Sequence, residues 1–213
     1  MSDRFLLPIG DTKRSFVSRA GQKLDAAIAT LQIPVAGLIA ADLGCNVGGF
    51  TDCLLQHGAV KVYAVDTAYG VLAWTLRKDP RVVVRERTNA LHVKLPEPVD
   101  IVAIDVGWTR QEKILPIART LLRAKPAEGA GDSGGVIGGG TGGGILTLIK
   151  PHYESELAKT QGGVLTPEQS STMLEQVVAT IERLGFLIRG IVKSPIEGQK
   201  GNTEFVAHLE WPG

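Results

Sequence analysis

Five short apolar runs, at 38–41, 62–65, 82–84, 101–104 and 145–149, alternate with stretches whose apolar residues recur at helical spacing, at 51–56, 71–77, 114–122 and 167–184. Apolar runs without a polar alternation are strands buried on both faces. Alternating with helices, they specify a parallel sheet covered on each side. A further helix is predicted over 18–32, where Leu24, Ala27, Ile28 and Leu31 form one apolar stripe, Ser18 can cap the start and Pro34 ends the run. The last two apolar runs, 186–194 and 204–209, are joined only by residues 195–203. So short a link, with no helix in it, predicts an antiparallel hairpin. The expected architecture is a doubly wound, mostly parallel seven-stranded sheet ending in that hairpin.

Other properties narrow the class. No apolar run reaches the roughly 18–20 residues needed to span a bilayer, and the first residues do not form a secretory signal. Two cysteines, Cys45 and Cys53, cannot build a disulfide framework, which points to a reducing, cytoplasmic setting. The four histidines show no metal-ligand spacing, so no metal is expected. With 23 basic against 22 acidic residues the net charge is +1, and a nucleic acid would have to be met by a local basic face. Lys13, Arg14, Arg19, Arg110, Lys113 and Lys193 are the candidates for such a face. Residues 127–144 contain ten glycines in eighteen positions, the composition of a flexible loop, and no Lys-Ser or Lys-Thr pair follows to complete a phosphate-binding motif.

The strongest local signal is Asp42-Leu-Gly-Cys-Asn-Val-Gly-Gly-Phe-Thr. A strand ends at Asp42, a loop carries Gly44, Gly48 and Gly49, and a helix starts near Phe50. Glycines let the backbone turn and approach a ligand, and the helix start offers free N–H groups. The spacing GxxxGG differs from the dinucleotide GxGxxG, and an acid at the strand end would repel a diphosphate. It suits the amino group or hydroxyls of a cationic ligand such as S-adenosylmethionine. Asp66 ends the next strand about twenty residues on, where ribose hydroxyls of either kind of cofactor would sit. Asn89 can meet an adenine edge or serve as a turn residue. Asp105 ends the fourth strand, at the sheet edge where ligands bind in such folds. Lys23, Lys150 and Glu204 are three further charges that folding does not require.

Together these segments resemble the FtsJ/RrmJ-like ribose 2′-O-methyltransferases, most closely their TlyA-type, haemolysin-related branch. The resemblance runs from about Ser18 to Leu209. It rests on Ser18-Arg-Ala-Gly-Gln-Lys-Leu, the glycine loop, Tyr63-Ala-Val-Asp, Arg87-Thr-Asn-Ala, Leu148-Ile-Lys-Pro-His-Tyr-Glu and Gly201-Asn-Thr-Glu-Phe, in that order. It implies a Rossmann-like class I methyltransferase fold, S-adenosylmethionine as cofactor and RNA, ribosomal by the resemblance, as partner. It also implies a Lys23-Asp105-Lys150-Glu204 tetrad, with Gly48, Phe50, Asp66, Asn89 and Asp105 at the cofactor. A ribose hydroxyl holds its proton far above neutral pH, so its methylation needs in-line placement and a route for that proton. Lys150 is the expected base, provided burial and the charge of Lys23 depress it from about 10.4. Asp105 and Glu204 would hold the two lysines.

Two departures bear on the substrate. TlyA-type proteins commonly carry an N-terminal S4-like domain, whereas fewer than twenty residues precede the first helix here. The expected layout is therefore an extension over 1–17 and a methyltransferase domain over 18–213. After Asp105 the chain reads Val-Gly-Trp-Thr where the branch usually has a Val-Ser-Phe-Ile-like run, so Trp108 either packs under the loop or stacks on a base. A methyltransferase acting on a non-RNA acceptor and a non-catalytic cofactor-binding partner are the alternative readings.

Overall fold

A computed structural model describes residues 5–7, 14–124, 144–156, 158 and 162–212. Of the expected glycine-rich loop only Gly144 falls within these residues, and Lys13 lies outside them, as does most of the extension over 1–17.

The five apolar runs form the parallel strands β2 (Ile39–Leu43), β3 (Lys61–Val65), β4 (Val82–Arg85), β5 (Ile101–Ile104) and β6 (Gly144–Ile149). The closing hairpin is β7 (Leu187–Lys193) and β8 (Phe205–Glu210), with β8 antiparallel to both β7 and β6. An eighth strand beyond the expected seven, β1, is a two-residue segment at Leu6–Leu7 that pairs parallel to β7. The order is β1-β7-β8-β6-β5-β2-β3-β4.

Strand residues alternate between two cores because side chains leave a pleated strand on opposite faces. Ala41, Tyr63, Val102 and Ile145 face α4 (Gln111–Leu121) and α6 (Pro167–Arg183). Ala40, Val62, Ala64, Ile101 and Leu146 face α1 (Ala20–Leu31) and α2 (Gly49–Gln56). With both faces covered, no period-2 polarity is needed, which is why these strands read as unbroken apolar runs.

Helix boundaries differ from the expected ones for local reasons. Arg19, not Ser18, holds the cap position of α1; the Ser18 hydroxyl is instead pressed against Gly49, where any Cβ would overlap it. At the other end Gln32 adopts a left-handed conformation (φ 53°), and its N–H bonds Ile28 O. The helix expected over 71–77 shrinks to one turn, α3 (Trp74–Arg77), because Ala73 N bonds Val47 O in the glycine loop and ties residues just ahead of it there. α6 begins with a capping box in which Thr166 and Gln169 satisfy each other's backbone N–H groups. One short helix, α5 (Pro151–Glu154), follows β6 directly.

Candidate active site

The carboxyl ends of β2, β3 and β5 converge on a cavity of about 650 Å3. Gly44 carries the chain out of β2 with φ 88° and lies so close to the Asp105 carbonyl that a Cβ would overlap it. Only glycine permits both the turn and the approach. Asn46, also left-handed (φ 47°), donates its N–H to Asp66 Oδ2 at 2.8 Å, and Ala68 N donates to Asp66 Oδ1 at 2.8 Å. Two backbone donors thus fix the Asp66 carboxylate on the cavity wall.

The four charged residues separated in sequence meet on that same wall. Lys23 and Glu204 form a buried ion pair between α1 and the residue preceding β8. Lys150, at the end of β6, pairs with Asp105 at 2.5 Å and donates to Val106 O at 3.3 Å. Its ammonium also stands over the Tyr153 ring, 5.2 Å from the centroid. Next to them, burial first and then the charges of Lys150 and Lys23 lower His152 to about 4, which keeps it neutral; its buried Nδ1 has no hydrogen-bond partner among the described residues.

The remaining expected residues separate into two groups. Asn89 lines the main cavity, with its side chain accepting from Leu91 N as the cap of a 3-10 turn at Ala90–His92, as a turn residue would. Gly49 and Phe50 line a neighbouring recess of about 220 Å3 that shares Lys23, Gly44 and Asp105 with the main cavity. Asp42 and Gly48 are on neither wall. Gly48 (φ 106°) packs under Leu72 and Leu76, where a Cβ would overlap the leucines. Asp42 is fully buried behind the loop and accepts from Thr51 Oγ1 at 2.7 Å. Burial is the main force raising it to about 7, with the Asp105 and Asp66 charges adding to the rise and the Thr51 bond opposing it. Its neighbour Cys45 is also held protonated, by burial and then by the Asp42 charge.

Two further residues, Gly198 and Tyr153, had no sequence signal strong enough to single them out, and Arg19, expected only as a basic contact, joins them at the cavity. Gly198 packs on the Glu204 carboxylate so closely that a Cβ would overlap it. Arg19 and Tyr153 line the cavity. Trp108, left-handed at φ 53°, is 66% exposed and stacks on Tyr153 at 4.3 Å between centroids. Of its two open readings, packing under the loop does not occur. The Arg110 guanidinium, one of the expected basic contacts, is paired with Glu156, and that of Arg14 with Asp25.

The cavity suits S-adenosylmethionine on structural grounds. Its volume lies within the range of small-molecule sites, about 300–1,000 Å3. Asp66 offers a fixed acceptor for hydroxyl donors, Val65, Ala90 and Leu91 give apolar wall, and Asp105 supplies negative charge for a cation. Among the described residues no helix is long and apolar enough to cross a membrane.

Comparison with known proteins agrees with this geometry. The chain is 36% identical over 212 residues to the 16S/23S rRNA (cytidine-2′-O)-methyltransferase TlyA of Mycobacterium tuberculosis, covering 96% of this chain and 72% of that protein. It is 35% identical over 200 residues to hemolysin A of Brachyspira hyodysenteriae, covering 91% and 76%. A crystal structure of a hemolysin-labelled protein from Lactococcus lactis superposes with a TM-score of 0.79 at 33% identity, covering 92% and 89%. The chain spans about two thirds to three quarters of the length of the curated relatives it matches. The family model of FtsJ-like methyltransferases matches residues 16–211, and the chain belongs to that family of S-adenosylmethionine-dependent enzymes.

Proposed function

We propose that the chain methylates a ribose 2′-hydroxyl of RNA, with ribosomal RNA as the substrate class. Lys150 acts as the base, and Lys23, Asp105 and Glu204 complete the site. The observation that carries this reading is the meeting of two lysine–carboxylate pairs on the wall of one cavity beside Asp66. The name of the TlyA relative supports the choice of acceptor.

When bound, S-adenosylmethionine supplies a methyl group on a sulfonium, which leaves as a neutral thioether and needs no acid. Asp66 would hold its ribose hydroxyls, Asn89 and Leu91 would flank its adenine, and Gly49 and Phe50 would border the adjoining recess. On the acceptor side the difficulty is the hydroxyl proton. After giving up its own proton to solvent, Lys150 Nζ as the neutral amine takes the hydroxyl proton while the oxygen bonds to the methyl carbon, and Asp105 holds the resulting ammonium at the cavity wall. Lys23, tied down by Glu204, places a second cation where the oxygen gains negative charge. Trp108 offers an exposed ring on which a base of the RNA stacks, backed by Tyr153.

The test is transfer of label from tritiated S-adenosylmethionine to RNA, followed by nuclease mapping, with Lys150→Ala and Asp66→Ala in parallel. The parent should label a ribose 2′-oxygen, and Lys150→Ala should lose at least about 100-fold in rate, the lower end of general-base contributions. Asp66→Ala should weaken cofactor binding in calorimetry. Label recovered only in small molecules or protein would refute the RNA acceptor. An undiminished rate for Lys150→Ala would refute the base.

A further inference from the structure

On the far side of α1 from the ion pairs, a second polar cluster is built into the core. Asp25 of α1 is fully buried, and one of its carboxylate oxygens, Oδ2, has no hydrogen-bond partner among the described residues. Its Oδ1 lies 2.6 Å from His57 Nε2 and 3.0 Å from Arg14 Nη1. Cys53, fully buried one turn before His57 on α2, brings its sulfur to the same place. One donor atom from each of Asp25, Cys53 and His57 lies within 4.8 Å of the others.

The bonding of this cluster is incomplete as it stands. His57 Nε2 must carry a proton to bond a carboxylate oxygen at 2.6 Å, yet the Arg14 N–H group also faces it at 3.4 Å. A protonated ring nitrogen cannot accept from that guanidinium. A metal ion removes the conflict, because it takes a lone pair from the oxygen, the nitrogen and the sulfur at once. The nearest further acid, Asp52, is occupied elsewhere by Val17 N and Gln56 Nε2.

We propose that Asp25, Cys53 and His57 form a binding site for a divalent metal ion of the zinc type, with the Arg14 guanidinium as the cation it displaces. A thiolate, an imidazole and a carboxylate are the ligand set of zinc and its neighbours, not of magnesium or calcium. Tetrahedral bonds of about 2.0–2.3 Å put neighbouring donor atoms roughly 3.3–3.8 Å apart. Asp25 and His57 therefore open slightly while Cys53 closes in. On binding, Cys53 loses its proton to solvent, the His57 Nε2 proton leaves that nitrogen for Nδ1 or for solvent so that Nε2 can ligate, and Arg14, whose side chain is 47% exposed, swings outward. The two negative ligands neutralise the ion, so the core gains no net charge. The fourth position opens toward the surface that Arg14 vacates and takes water. Such an ion joins α1 to α2 two residues beyond Lys23 and stabilises the folded chain by mass action.

The test uses cobalt(II) chloride as the spectroscopic probe and zinc chloride as competitor, on the full chain freed of metal by chelator. One equivalent of cobalt should give the near-ultraviolet thiolate band and the strong visible bands of four-coordinate cobalt, and zinc should abolish both. Cys53→Ala should remove the thiolate band, and His57→Ala should weaken binding by more than about tenfold. Arg14→Gln removes the competing cation and should tighten zinc binding several-fold, a result that ordinary surface binding does not give. His92→Ala serves as the control, and circular dichroism establishes that each variant is folded. Should Cys53→Ala unfold, Cys53→Ser, which keeps the size of the side chain, replaces it. Absence of the thiolate band in the parent, its persistence without Cys53, or zinc binding indifferent to Arg14 would each overturn the proposal.

Discussion

Asp42 gives the most quantitative prediction. In the unfolded chain its carboxyl ionises near 3.8, whereas burial behind the glycine loop raises it to about 7 in the folded protein. Between those two pH values the folded state binds more protons than the unfolded one, so this group lowers stability as pH rises from about 4 to 7, and the loss is complete above 7. At about 1.4 kcal/mol for each tenfold difference in proton affinity, the whole effect is about 4 kcal/mol. About 2.5 kcal/mol of it falls between pH 5 and pH 8. Asp42→Asn keeps an oxygen that accepts from Thr51 and cannot ionise, so its stability relative to the parent should climb by that amount over the same interval. Urea unfolding of both proteins at half-unit pH steps measures the difference directly, with every other titrating group cancelling between them. Thr51→Val, which removes the hydroxyl that favours the charged carboxylate, should carry the dependence on to higher pH than in the parent and enlarge its total. Parallel stability curves for parent and Asp42→Asn would refute the assignment of a neutral, desolvated carboxyl.

Three other perturbations test the site. Glu204→Gln leaves the Lys23 ammonium buried without its carboxylate and should cost about 3–5 kcal/mol in urea unfolding, whereas Lys23→Met combined with Glu204→Leu should recover most of that loss. Gly198→Ala pushes the Glu204 carboxylate out of place, so methyl transfer should fall at least tenfold, about 1.4 kcal/mol in the barrier, while calorimetric binding of S-adenosylmethionine is preserved. Trp108→Ala should weaken RNA binding by about 1–3 kcal/mol in a filter or fluorescence assay and leave cofactor affinity unchanged, with Trp108→Phe retaining most of the affinity.

The parallel strands were legible because burial on both faces leaves them mainly apolar with no polar alternation, and the closing hairpin because nine residues cannot cross back over a sheet. β1 was not, since two half-exposed leucines carry no period. Asp42 was expected in the cavity because it ends a strand, but strand parity already opposes that placement. Ala40 faces the α1–α2 core, and Asp42, two residues on, must face the same way and so meets Thr51 of α2. Asp66 and Asp105 lie just beyond their strands, free of that constraint, and reach the cavity. Gly198 had no legible signal because its neighbour in space, Glu204, is held there by a loop whose path no local pattern fixes. Cys53 and His57 stand one helical turn apart, a visible pair, but Asp25 joins them only through the packing of α1 on α2, so sequence spacing did not disclose the cluster.

Lys23 and Glu204 are 181 positions apart, near opposite ends of the chain. During synthesis the lysine therefore emerges long before its carboxylate partner. Because β8 inserts between β6 and β7, that partner reaches the lysine only when the final strand threads into the sheet. A nascent chain that has completed β2 to β6 already holds Asp66, Asp105 and Lys150, yet Lys23 waits for Glu204 until the segment leading into β8 is made. Cutting the chain between β7 and β8 would thus leave the Lys23 ammonium without its carboxylate, so the fold ties this ion pair to completion of the sheet.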